Sequence, residues 1–217
     1  MDQDNTISDV IKKITDDLVW QRFYYNQYTK LFMYKDLRNQ LLSDTALRFF
    51  KDLQRFFWHQ MIMGISRLTD RYQQGNFRNL SIQILPILGN ENNWDFIDEL
   101  SNRVNETIAL SMPVINMRKK HVAHRDFDSA MDDTVTLGSL ELSQIDSSLT
   151  SLCDVMNFTR SNLDFPFQIW ELKTPHGVDS LIYHLKIAHM RIEESKSSIE
   201  AKRQLDLELR SSKYYEA

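Results

Sequence analysis

The sequence predicts an all-α protein, an up-and-down bundle of long helices with additional helices toward the C-terminus. Two observations carry this. Apolar residues recur every three to four positions over long stretches, the spacing of one helix face. Glycine (5) and proline (4) are scarce in 217 residues, where average usage gives roughly 15 and 11. Little material is left for hairpins and breaks.

Thr6, with Asp9 three residues on, has the look of a capping box at a helix start. Ile7, Ile11, Ile14, Leu18, Tyr25 and Phe32 then keep helical spacing, so a first helix runs to about Tyr34. A second is expected from Ser43 or Asp44 to about Arg71, with Leu47, Phe50, Leu53, Phe57, Met61, Ile65 and Leu68 on one stripe. Phe49, Phe56 and Trp58 widen that stripe, which places the helix centrally in a bundle. Gly64 within it costs about 1 kcal/mol of helix propensity, and the simplest reason is close approach of another helix.

Residues 73–93 contain Gly75, Pro86 and Gly89 and are expected to form a connection with a short helical piece. Asn92 or Asn93 would cap a third long helix with Ile97, Leu100, Val104, Ile108 and Ile115 buried. Pro113 should kink it, because its ring removes a backbone donor and crowds the preceding turn. Residues 126–140 form an acidic loop containing Gly138. Ser143 would cap a fourth helix through Leu152, Val155, Met156 and Leu163. Residues 162–177, with Pro166 and Pro175, should be extended, and a fifth helix follows with Val178, Leu181, Ile182, Leu185 and Ile187 as its apolar set. The expected organisation is one helical domain over residues 1–195 and a charged helix or tail over 196–217.

Apolar residues at 42% and charged residues at 26% describe a globular protein, and the net charge of −4 argues against a surface coated for nonspecific nucleic-acid binding. Any nucleic-acid contact is therefore confined to a patch. The lone cysteine, Cys153, cannot make an internal disulfide and fits a reducing cytoplasm. The start Met1-Asp2-Gln3-Asp4 lacks the order of a secretion signal. No apolar run reaches the roughly 18 residues of a membrane span, so a cytoplasmic protein without membrane contact is expected.

The patch is easy to find. Arg118, Lys119, Lys120, His121, His124 and Arg125 fall within eight consecutive positions, with no acid before Asp126. Arginine presents a planar fork of donors to a phosphate, and histidine exchanges a proton near neutral pH. If the third helix continues, Arg118, His121 and His124 form an i, i+3, i+6 ridge. His124 then lies about 120° and 9 Å from Arg118, so both could reach one phosphate. The same residues also read as an exposed basic helix end, favourable at the negative end of the helix dipole. His121 and His124 with Asp126 or Asp128 could form a metal set, but the neighbouring arginines and lysines would repel a cation, so neither metal nor cofactor is expected. Arg67 and Asp70, three apart, read first as a local ion pair, and otherwise as support for the basic segment. Cys153 reads as a small core residue.

Arg118, five residues and His124 match the Arg-x4-6-His signature of the HEPN superfamily. The longer set Arg118, Lys119, Lys120, Ala123, His124 and Asp126 resembles the branch found among abortive-infection proteins. A second element, Ser66-Arg67-Leu68-Thr69-Asp70 at the end of the second helix, resembles the same branch. The pattern usually has an uncharged polar residue after the arginine, where this chain has Lys119, which lacks an amide's paired donor and acceptor.

The resemblance covers roughly residues 5–190. It implies a metal-independent endoribonuclease of a phage-defence or toxin–antitoxin system, often a homodimer with both motifs facing one cleft. His124 and Arg118 would be catalytic. Lys119, Lys120, His121, Arg125, Asp126, Arg67 and Asp70 would bind RNA or support the site. An antitoxin or nucleotidyltransferase is an implied partner. The alternative is a noncatalytic HEPN-like module that binds RNA, a nucleotide or a protein; a purely structural helical dimer is the third reading.

Overall fold

The computed structural model describes residues 7–33, 36–119, 140–171 and 177–211. Helices dominate them, as the scarcity of glycine and proline predicts. In chain order these are α1 (Ile7–Phe32), α2 (Asp36–Thr69), a hairpin of β1 (Gln73–Gln74) and β2 (Phe77–Arg78), α3 (Ile84–Glu91), α4 (Ile97–Leu110), α5 (Met112–Met117), α6 (Leu142–Asn162), α7 (Val178–Ser195) and α8 (Ile199–Ser211). No helix among the described residues is long and apolar enough to cross a membrane. The chain divides into two compact units, one of Met1–Tyr28 with Gln54–Lys173 and one of Thr29–Leu53 with Thr174–Ala217.

In the first unit α1 and the C-terminal half of α2 run antiparallel. Tyr28 meets Trp58 and Tyr24 meets Phe57 in tilted ring contacts, and Arg67 reaches back to Asp17. Ile11, Ile14 and Leu18 of α1 and Met61, Ile62, Ile65 and Leu68 of α2 are fully buried between them and their neighbours. At Gly64 the helices approach closely. A Cβ added there would lie 2.0 Å from Cδ of Gln21, so the close approach expected from the sequence is present.

α4 packs on α6, with α3 laid on α4 and α5 touching both α4 and α6. Leu100 and Val104 of α4 and Ile145, Leu149, Leu152 and Met156 of α6 are buried, and the Thr107 and Ser151 hydroxyls share a hydrogen bond of 2.7 Å. Arg22 of α1 is tied to Asp146 of α6 at 3.0 Å. Burial pushes the Tyr25 hydroxyl upward, helped by the nearby Asp146 carboxylate. After α6 the chain runs without helix along it. The Asn157 side chain brackets the Gln168 backbone, and the Arg160 guanidinium donates to the Pro166 carbonyl.

In the second unit Lys30 pairs with Asp179 at 2.7 Å, the Arg38 guanidinium donates to the Lys30 carbonyl, and α8 packs on α7.

Several boundaries differ from expectation. α2 begins at Asp36, before the Ser43-Asp44 cap signal; that signal instead precedes a real interruption, since Ala46 leaves helical geometry (φ −159°, ψ 67°). Asn92 closes α3, donating from Nδ2 to the Leu88 carbonyl, rather than opening α4. Asn93 takes a left-handed turn (φ 53°) that asparagine tolerates. Glu141, not Ser143, precedes α6, its backbone N–H received by Gln144 Oε1 at 2.9 Å. In α7 Val178 and Ile182 are buried, but Leu181 and Ile187 are exposed. Thr6 and Tyr34 lie outside the described residues.

Candidate functional site

The site is built from the ends of two helices. Where a kink at Pro113 was expected, the helix breaks in two: it stops at Leu110, Ser111 turns, and α5 starts afresh at Met112 with the proline in its first turn. A proline there loses nothing, because first-turn N–H groups have no helical partner. Val114, Ile115 and Met117 of this short helix are buried. They fix the direction in which the next residue, Arg118, leaves the core. Arg118 keeps helical dihedrals (φ −56°, ψ −49°).

The other wall is the end of α2. Leu68 is fully buried, and Thr69 turns its hydroxyl back to the Ile65 carbonyl at 2.8 Å. The last carbonyls of a helix need outside donors. Here Ile82 N–H donates to Leu68 at 2.9 Å and Gln83 Nε2 to Thr69 at 3.0 Å. Asp70 therefore projects from a fixed terminus.

The two ends meet through a two-pronged ion pair. Arg118 Nη1 donates to one Asp70 oxygen at 2.7 Å and Nη2 to the other at 2.9 Å. Both side chains are mostly buried, 18% and 20% exposed. Two parallel charge-assisted bonds fix a guanidinium plane as well as its position. Of five N–H donors on arginine, the carboxylate engages one on each terminal nitrogen. Three N–H groups are not engaged by that carboxylate, and a guanidinium is a group that suits phosphate oxygens.

Arg67 and Asp70 do not pair with each other along α2, which corrects the first expectation for them. Each reaches another helix instead: Arg67 Nη2 sits 3.1 Å from Asp17 on α1, while Asp70 takes Arg118. Local pairing is worth only a few tenths of a kcal/mol, so a partner offering two bonds in a drier setting wins. Asp17 was missed by sequence reasoning, since nothing in its own neighbourhood marks which helix it will face. Lys119 is exposed beside Arg118. Lys120, His121, His124, Arg125, Asp126 and Asp128 lie outside the described residues, as do the 126–139 part of the expected acidic loop and any metal set drawn from it. Cys153 is buried, and burial pushes its thiol up to about 12, which removes it from nucleophile chemistry near neutral pH.

The pairing of an Arg-Leu-Thr-Asp helix end with the arginine of Arg-x5-His joins the two elements on which the resemblance rests. A family model agrees with it: the HEPN model described as AbiU2 matches residues 7–173. The chain belongs to this HEPN AbiU2 family. The AbiU2 match runs from the start of α1 past the end of α6, and so includes both halves of the ion pair; α7 and α8 lie beyond it. Neither a curated protein nor a solved structure matches the chain.

Proposed function

We propose that this AbiU2-family protein is a metal-independent endoribonuclease of a phage-defence or toxin–antitoxin system, acting through Arg118 and His124. The observation that carries the reading is the Asp70 carboxylate gripping the motif arginine at 2.7 and 2.9 Å. An arginine used only for solubility gains little from such a mount. One that must meet a phosphorane needs its plane fixed beforehand, because a preset donor costs no reorganisation at the moment of reaction.

In this reading one His124 removes the proton from a ribose 2′-hydroxyl and the 2′-oxygen attacks phosphorus. The bond from phosphorus to the 5′-oxygen breaks, and that oxygen takes a proton from a second imidazole. The products are a 2′,3′-cyclic phosphate and a 5′-hydroxyl. A homodimer supplies the two histidines across a shared cleft. Arg118 neutralises charge on the phosphorane, and Asp70 positions Arg118. Arg67, Lys119, Lys120, His121 and Arg125 serve RNA binding, and Asp126 orients His124. Such acid–base help is worth about 10²–10⁴-fold in rate. An antitoxin or nucleotidyltransferase partner would hold the activity in check in the cytoplasm.

Purified protein incubated with RNA in EDTA should leave cyclic-phosphate ends, and His124→Ala should lower cleavage by at least about 10²-fold with an unchanged circular dichroism spectrum. Full cleavage by His124→Ala removes that residue from its role. Retention of RNA uncut by the wild type, weakening with salt and lost in Arg118→Ala, would favour a noncatalytic binding module. The exposed Lys119 beside Arg118, in place of an uncharged polar residue, is the feature that favours this second reading.

A further inference from the structure

The β hairpin begins three residues after Asp70. Gln73 pairs with Arg78 and Gln74 with Phe77, across a turn of Gly75 and Asn76. Gly75 takes φ +59°, which a tight hairpin turn requires and glycine adopts without strain. The base of the hairpin is fastened to the residues next to Asp70. Asn79 N–H donates to the Tyr72 carbonyl at 2.7 Å, and Asn79 Nδ2 to the Arg71 carbonyl at 2.8 Å. At roughly 3.3 Å per residue over the five residues from Asp70 to Gly75, the tip stands at most about 17 Å from Asp70.

What the hairpin presents is unusual for a surface turn. Phe77 is 79% exposed, and both strands are exposed along their length. Arg71 and Arg78 are exposed. Among the described residues neither takes part in an ion pair. Residues 71–90 contain no aspartate or glutamate, in a chain whose net charge is −4. A bare aromatic ring, two guanidinium groups without an ion pair among the described residues and the amides of Gln73, Gln74 and Asn76 on a carboxylate-free stretch suit an unstacked base between phosphates. A protein partner is the poorer fit, because Phe77 is the one apolar side chain of the hairpin's residues 73–78, whereas protein interfaces centre on clustered apolar groups.

We propose that the hairpin is a docking lip for single-stranded RNA at the Arg118–Asp70 site, stacking one base on Phe77 while Arg71 and Arg78 hold flanking phosphates. The proposal rests on the reading of the protein as RNA-directed. The ring accepts any base face, so the lip selects unpaired RNA over duplex without choosing a sequence.

The test uses the full chain and a fluorescein-labelled, 2′-O-methyl single-stranded RNA of mixed sequence, which cannot be cut, read by fluorescence anisotropy. Phe77→Ala should weaken binding about tenfold, and Phe77→Tyr and Phe77→Trp should restore it. Arg71→Ala and Arg78→Ala should each flatten the slope of log affinity against log salt by about 0.7. Wild-type affinity in Phe77→Ala, preference of the wild type for duplex, or absence of single-strand binding overturns the lip. So does a change in self-association by Phe77→Ala, read by sedimentation, without a change in RNA affinity. RNA held through Phe77 but never cut would leave the lip standing and sink the ribonuclease. Cutting with normal affinity in Phe77→Ala would do the reverse.

Discussion

At the residue scale the protein turns on how one guanidinium is mounted. Arg118 and Asp70 are far apart in sequence and mostly buried together, so removing the acid strands a cation with little water to replace it. Asp70→Ala should cost about 1–3 kcal/mol of stability, measured by urea unfolding. It should also lower RNA cleavage more than that loss explains, because the arginine is freed to rotate. Asp70→Asn keeps one acceptor and should fall between. Wild-type cleavage in Asp70→Ala would show that the mount is structural alone. Both partners were legible beforehand, as part of Arg-Leu-Thr-Asp and as the start of Arg-x5-His. Their contact was not, since 48 residues separate them and a helix neighbour three positions away looked the cheaper partner for Asp70.

At the scale of elements, α1 and α2 are locked by a glycine and a glutamine. Gln21 is buried against Gly64 with its side-chain oxygen lacking a hydrogen-bond partner among the described residues. Gly64→Ala gains about 1 kcal/mol of helix propensity. Its new methyl must displace a buried amide, an overpacking cost of about 1–3 kcal/mol, so the single variant should be neutral to destabilised. Gln21→Ala with Gly64→Ala removes the clash and the unpartnered oxygen together. A double-mutant cycle by thermal melting should therefore find the pair more stable than Gly64→Ala alone; simple additivity would refute the contact.

The long helices and the break at Pro113 were readable because a 3.6-residue period and a missing backbone donor act locally. The hairpin was read as a plain connection. Its Gly75-Asn76 pair is a hairpin signal, but strands of two residues are too short to show alternation. Helix ends were the least legible: Asn92 looks the same to local rules whether it closes one helix or opens the next, and Glu141 caps α6 two residues before the Ser143 signal.

For the whole molecule, stability should fall as the solution turns alkaline. Burial raises the Cys153 thiol from 9.0 to about 12 and raises the hydroxyls of Tyr25 and Tyr28. For each group the folded form holds its proton after the unfolded chain has lost it. The contribution is full below the unfolded value and fades as pH climbs toward the folded one, which for Cys153 is the window from about 9 to about 12. Urea unfolding at pH 8, 10 and 11 should show declining stability. Cys153→Ala should make the decline shallower by up to about 1.4 kcal/mol per pH unit. An identical profile in that variant would mean the thiol ionises as freely in the native protein as in the unfolded chain.

The bond between Asp70 and Arg118 also has a direction in time. During synthesis the carboxylate emerges from the ribosome 48 residues before its counter-ion, and closing so long a loop is entropically unfavourable until the intervening helices have packed. A nascent or damaged chain would then carry the arginine unanchored, and any chemistry that needs its fixed plane, the proposed RNA cleavage included, would arrive with maturation of the fold and not before it.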